Sequence, residues 1–131
     1  MDFIVDPCIP FDYERTSRVI TDLCEKYRGI IRKDIVGKSE KGRNIYVIKL
    51  GSGRRKVLFV GGIHGREYVT ANFLFYSMEL YAGSDECKEI LREHTFYIVP
   101  VCNPDSVEIA LSLDEPVCKE AGFCHDTFKD N

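Results

Sequence analysis

The sequence predicts an α/β fold: a mixed sheet with an antiparallel hairpin and parallel central strands, flanked by helices. Three observations predict it. Two runs rich in β-branched residues, Ile30–Val36 and Asn44–Leu50, are separated by the polar stretch GKSEKGR with its two glycines, which reads as a hairpin. Two short apolar runs come next, Lys56–Gly62 and Thr95–Val101, and between them lies a long stretch of helical periodicity. Strand, helix, strand in that order implies a right-handed crossover between parallel neighbours.

Each element has its own signal. Residues Asp12 to Tyr27 repeat Val19, Ile20, Leu23, Cys24 and Tyr27 at helical spacing, with Asp12 as the cap and Gly29 as the stop. KVLFVGG is short, apolar and uninterrupted, as expected of a strand covered on both faces. After it, Ala71, Leu74, Phe75 and Met78 share one helical face, and Gly83 is a natural end. Ser84 is placed to cap a short helix through Arg92, with Cys87, Ile90 and Leu91 as its apolar side. TFYIVPV is the second buried strand. Beyond NPDSVEIAL periodicity is lost, and residues 113–131 read as loop or frayed terminus.

Composition bounds the function. A chain of 131 residues, 44% apolar, can build one core without staples, and residues 1–131 read as a single domain. No apolar run approaches the ~20 residues of a membrane span, so no membrane partner is expected. A net charge of −3 with no basic cluster argues against nucleic acid. The start MDFIVDPCIPFDYERTS has no export signal, so a cytoplasmic location and free thiols are expected for the six cysteines. Cys24, Cys87 and Cys102 read as core filler. Cys118 and Cys124 beside His125 match no pair of C-x2-C zinc knuckles.

Two segments can carry chemistry. Gly61-Gly62-Ile63-His64-Gly65-Arg66-Glu67 leaves the carboxyl end of a strand, where α/β sheets bind ligands. His64 and Glu67, three apart on a tight turn into a helix, can point to one side, and an imidazole nitrogen with a carboxylate oxygen suits zinc. The bland alternative is that His64 caps or hydrogen-bonds at a helix start, with Glu67 favourable in its first turn. Val99-Pro100-Val101-Cys102-Asn103-Pro104-Asp105 lies at the carboxyl end of the other predicted strand. Asn-Pro-Asp is also a turn sequence in its own right, with Asp105 able to cap the segment after it.

KGRNIYVIKLG, then a strand, then GGIHGREYVTANFLFYSMELY, then FYIVPVCNPDSVEI resembles the zinc carboxypeptidase family in content and order, from about Lys38 to Ala110. The resemblance implies the amino-terminal part of a zinc carboxypeptidase-like fold and metal-assisted hydrolysis of peptides, with cell-wall peptides as one substrate class. His64 and Glu67 fall on two of the three ligands of a single zinc ion, and Arg66 on an arginine facing the substrate cleft. Asn103, Pro104 and Asp105 fall on a structural turn. Ser106 stands where the family has glycine, so a left-handed backbone there would be costly.

The family's third ligand, its Asn-Arg carboxylate grip, its pocket tyrosine and its glutamate base have no matching motif here. His94 precedes a strand at the far end of the sheet, and no family motif surrounds His125. The chain alone is therefore expected to hold zinc weakly and to lack peptidase turnover, with no catalytic residue of its own. Its uncovered sheet edge predicts self-association or low stability. Gly-x-His-Gly-x-Glu also resembles aspartoacylase-like deacylases of N-acyl amino acids, and a non-catalytic fragment is the third possibility.

Overall fold

A computed structural model describes residues 2–113. Helix α1 (Tyr13–Lys26) starts where Asp12 accepts a hydrogen bond from the Arg15 amide at 2.7 Å. It buries Val19, Ile20 and Leu23. Strands β1 (Ile31–Lys38) and β2 (Asn44–Gly51) form the expected hairpin, in register from Ile31↔Leu50 to Lys38↔Asn44, with a bulge between Ile35 and Gly37. Strand β3 (Arg55–Val60), helix α2 (Val69–Gly83), short helix α3 (Lys88–Glu93) and strand β4 (His94–Val99) complete the crossover unit.

The sheet order is β1-β2-β4-β3. Strand β4 runs antiparallel to β2 and parallel to β3, so a mixed sheet is what the chain builds. Helices α1 and α2 cover one face. Phe11, Ile20, Leu23, Phe75 and Met78 pack there against Ile48, Leu50, Phe96 and Ile98 in one continuous core.

The order also corrects an expectation. Because β4 inserts between β2 and β3, β3 is an edge strand among the described residues instead of a central one. Its apolar residues are open: Leu58 is 64% exposed, Phe59 45% and Val60 41%. KVLFV is thus apolar on both faces without being covered on both among the described residues.

Other local expectations change too. Ser84 stands before a 3-10 turn (Asp85–Cys87) but makes no side-chain capping bond, and of the three predicted contacts of α3 only Leu91 is buried while Ile90 is exposed. Cys24, Cys87 and Cys102 are free thiols but only half-buried, so they edge the core rather than fill it. Helix α4 (Pro104–Leu113) forms over a stretch to which the sequence assigns no element beyond the Asn-Pro-Asp turn. Cys118, Cys124, His125 and the expected irregular tail after Leu113 lie outside the described residues. Among the described residues, no helix is long and apolar enough to cross a membrane.

Glu79, on α2, is a charged residue in the core with 0% exposure. It is accommodated because it is fully paired. It accepts from the amides of Ile4 and Val5 at 3.0 and 2.7 Å, from Tyr27 Oη at 3.0 Å, and from Lys26 Nζ at 3.2 Å. Asn72, two turns earlier on the same helix, donates to the carbonyls of Pro7 and Ile9. Together they strap the amino-terminal segment across α2.

Candidate metal centre

The glycines after β3 decide how its exit meets the exit of β4. Gly62 has φ 60°, a left-handed conformation that glycine adopts without cost. A Cβ there would stand 3.0 Å from Val101 Cα, and one at Gly61 would stand 2.8 Å from Leu74 Cδ1. This closeness lets Gly61 O accept from Cys102 N at 2.9 Å and Gly62 O from Asn103 N at 2.8 Å. The two motif-bearing loops are therefore joined backbone to backbone. Thr70 closes the turn, accepting from Gly62 N and donating to Glu67 O, both at 2.8 Å.

His64 then precedes a 3-10 turn (Gly65–Glu67) that leads into α2. Its side chain makes no capping bond to the backbone but meets Glu67 within the same turn, as the plain reading of a histidine hydrogen-bonded at a helix start also expects. His64 Nδ1 and Glu67 Oε1 lie 3.0 Å apart, each side chain 58% exposed. With Nδ1 protonated the ring donates to the carboxylate; without that proton the two atoms are lone-pair donors 3.0 Å apart. Donors of a tetrahedral zinc ion at ~2.1 Å stand about 3.4 Å apart, so this pair needs to open by only a few tenths of an ångström. The donor set suits zinc as two of its ligands.

His64, Gly65, Arg66 and Glu67 line a cleft of about 250 Å³ with Ile63, Asn103 and Ser106. Arg66 is exposed on that cleft, so all three residues singled out from the sequence gather in one place. The sequence did not single out Ser106 as a cleft residue. Only its departure from the family's glycine marked the position. No non-glycine residue among those described has a positive φ, so Ser106 sits in ordinary helical backbone and the expected cost does not arise.

The space that Ser106 needs comes from Gly65. A Cβ at Gly65 would lie 2.2 Å from Ser106 O and 2.5 Å from Ser106 Oγ. Asn103, not Asp105, caps α4, accepting from Ser106 N at 3.2 Å. Asp105 turns away to the β1–β2 hairpin, where it accepts from Ser39 Oγ, Arg43 Nη1 and Lys41 N at 2.8, 2.8 and 3.0 Å. Burial alone would push its carboxyl up, but Arg43, the Lys41 amide and Ser39 together hold it below the usual carboxylate range.

A third donor does not come from this neighbourhood. Among the described residues no group of three His, Cys, Asp or Glu side chains could hold a metal ion. His94 opens β4 opposite Arg55, whereas His64 lies beyond the far end of β3. Five strand steps of ~3.3 Å separate those ends by roughly 16 Å. His94 Nδ1 is instead 3.1 Å from Ile90 O.

The zinc carboxypeptidase family matches residues 16–120. Carboxypeptidase B of Astacus astacus is 32% identical over 107 residues, covering 79% of this chain and 35% of its own length. An inactive metallocarboxypeptidase of Paracoccidioides lutzii is 30% identical over 117 residues, covering 79% of this chain and 20% of its own. Thrombin-activatable fibrinolysis inhibitor superposes with a TM-score of 0.72 at 22% identity, over 80% of this chain and 29% of that one, which bears on the fold alone. The chain spans about a third or less of the length of these relatives.

Proposed function

The chain belongs to the zinc carboxypeptidase family, and from that premise we propose that His64 and Glu67 are two ligands of one zinc ion in a peptide-hydrolysing site. The observation that carries this reading is the approach of His64 Nδ1 to Glu67 Oε1 at 3.0 Å, on the rim of a cleft shared with Arg66. Zinc held there would supply Lewis acidity toward a scissile carbonyl and a water molecule.

This chain's own residues do the positioning. Glu67 fixes the ring of His64, Thr70 fixes the backbone of Glu67, and Arg66 offers a guanidinium to a peptide carbonyl or carboxylate entering the cleft. Two protein donors bind zinc weakly. The 131 residues alone are therefore proposed to bind zinc without catalysing peptide hydrolysis, and the substrate class is peptides with a free carboxyl end, cell-wall peptides included.

Zinc titration by calorimetry tests the site. Saturable binding to the chain, weakened at least about tenfold by His64→Ala and by Glu67→Gln, is the expected outcome. Equal zinc affinity in all three proteins overturns it.

A second reading keeps the fold and drops the turnover: a binding protein of the same family. It is favoured by the absence of a third donor among the described residues and by a relative named inactive. Robust, chelator-sensitive release of carboxy-terminal residues by this chain would exclude it, and would also refute the proposed inactivity. Release from N-acyl amino acids in place of peptides would point to the deacylase chemistry instead.

A further inference from the structure

Helix α1 buries a stripe of Thr16, Val19, Ile20 and Leu23, in which Thr16 is the polar member. Thr16 is 3% exposed, and its Oγ1 has no hydrogen-bond partner among the described residues. Thr21, further along the same helix, returns its hydroxyl to the backbone, donating to Ser17 O at 3.1 Å. Thr16 makes no such bond. A buried hydroxyl without a partner costs free energy, so the position calls for an explanation.

A second buried orphan belongs to Asn44, the first residue of β2. Its backbone N–H donates to Tyr13 Oη at 3.0 Å, and its Nδ2 reaches Tyr46 Oη only at 3.5 Å. Its Oδ1 is shut from solvent and has no partner among the described residues. Turning the amide over would exchange an orphan acceptor for an orphan donor, so the unmet requirement does not depend on which way the amide faces.

Thr16 and Asn44 line one cavity of about 10 Å³. Every residue lining it lies between Phe11 and Val107, so the described part of the chain forms its wall. By this measure a single water molecule needs roughly 10–15 Å³, and nothing larger fits. A cavity of purely apolar lining stays dry, but this one brings together two polar side chains that each lack a partner.

The geometry points to one ordered water molecule bound in this cavity, bridging Thr16 Oγ1 on α1 to the Asn44 side chain at the start of β2. Water offers two donors and two acceptors: one O–H goes to Asn44 Oδ1, and the Thr16 hydroxyl is met as donor or acceptor. The water is then a structural ligand that ties α1 to the hairpin. It does so next to Pro100 and Val101, through which β4 passes to Cys102 and Asn103, the residues bonded to Gly61 and Gly62. The site stands apart from the zinc and peptidase reading.

A crystal structure of the 131-residue chain, at a resolution that shows individual waters, tests it. A density peak within about 2.7–3.2 Å of both Thr16 Oγ1 and the Asn44 amide is the expected result. The two side chains bonded to each other or to other groups of the chain, with no density between them, overturns the proposal. Thr16→Val asks the same question in solution. Where a water satisfies the hydroxyl, its removal should raise the unfolding equilibrium constant about fivefold. A neutral or stabilising Thr16→Val would mean that the hydroxyl had no partner to lose, and also overturns the proposal. The density in the parent chain decides if that variant fails to fold.

Discussion

Arg43 Nη1 donates to Asp105 Oδ1 at 2.8 Å, tying the β1–β2 hairpin turn to the first turn of α4 across 62 residues of sequence. A second carboxylate on the same helix, Glu108, accepts from the first amide of α1, at Tyr13. Tyr13 Oη in turn accepts from Asn44 N at 3.0 Å. Helix α4, which brings Asn103 and Ser106 to the cleft, is thus held at two points by elements remote from His64 and Glu67.

The Asp105 clamp gives a pH signature. Its folded carboxyl is held below the ordinary value of 3.8. Stability from this group is then fully present above the unfolded value of about 4 and is lost as pH falls through the lower folded value. Thermal unfolding monitored from about pH 6 to about pH 2 should show a shallower acid limb in Asp105→Asn than in the parent. Arg43→Ala should flatten it similarly, and the double variant should be little worse than either single one. An unchanged acid limb in Asp105→Asn would sink the assignment.

Gly65→Ala places a methyl group 2.2 Å from Ser106 O. Overpacking of this kind costs about 1–3 kcal/mol, read as a lower urea midpoint at unchanged m-value. Ser106→Gly is expected not to rescue it, because the nearest atom is a backbone carbonyl. Full rescue would show that the hydroxyl alone sets the spacing between the 3-10 turn and α4.

Glu79→Ala leaves Tyr27 Oη and the amides of Ile4 and Val5 without their acceptor. Removing one partner of a buried charged network typically costs about 3–5 kcal/mol. Hydrogen exchange should accelerate at Ile4 and Val5 before it does in the sheet, since the strap loosens first. Uniform acceleration throughout would mean that Glu79 supports the whole core rather than the strap.

Metal removal should leave the fold in place. His64 and Glu67 are each 58% exposed at the sheet rim and belong to no part of the packed core. Chelation is expected to move the unfolding midpoint by less than about 2 °C, as for a site of catalytic rather than structural type. Collapse of the sheet on chelation would make any bound zinc a fold-holding ion instead.

Much of this was legible in the chain. Helix α1 and its Asp12 cap, the hairpin, the parallel β3–β4 pair and the buried face of α2 come from periods of 3.6 and 2 and from turn residues, signals carried within a dozen neighbours. The convergence of His64 with Glu67 was legible for the same reason, since three residues on a tight turn fix their relative direction. Helix α4 was obscured because Asn-Pro-Asp reads as a turn, and Asn103 rather than Asp105 proved to be its cap.

The order of residues alone specifies most of the elements, their succession, the pairing of His64 with Glu67 and the family. Only the packed molecule reveals that β4 lies between β2 and β3, that Asp105 reaches back to Arg43, and that Glu79 is buried under the amino-terminal strap. The difference is one of range. Periodicity and turn chemistry act between near neighbours, whereas strand order and the partners of Asp105 and Glu79, 62 to 75 residues away in the chain for Arg43 and Ile4, depend on how whole elements pack.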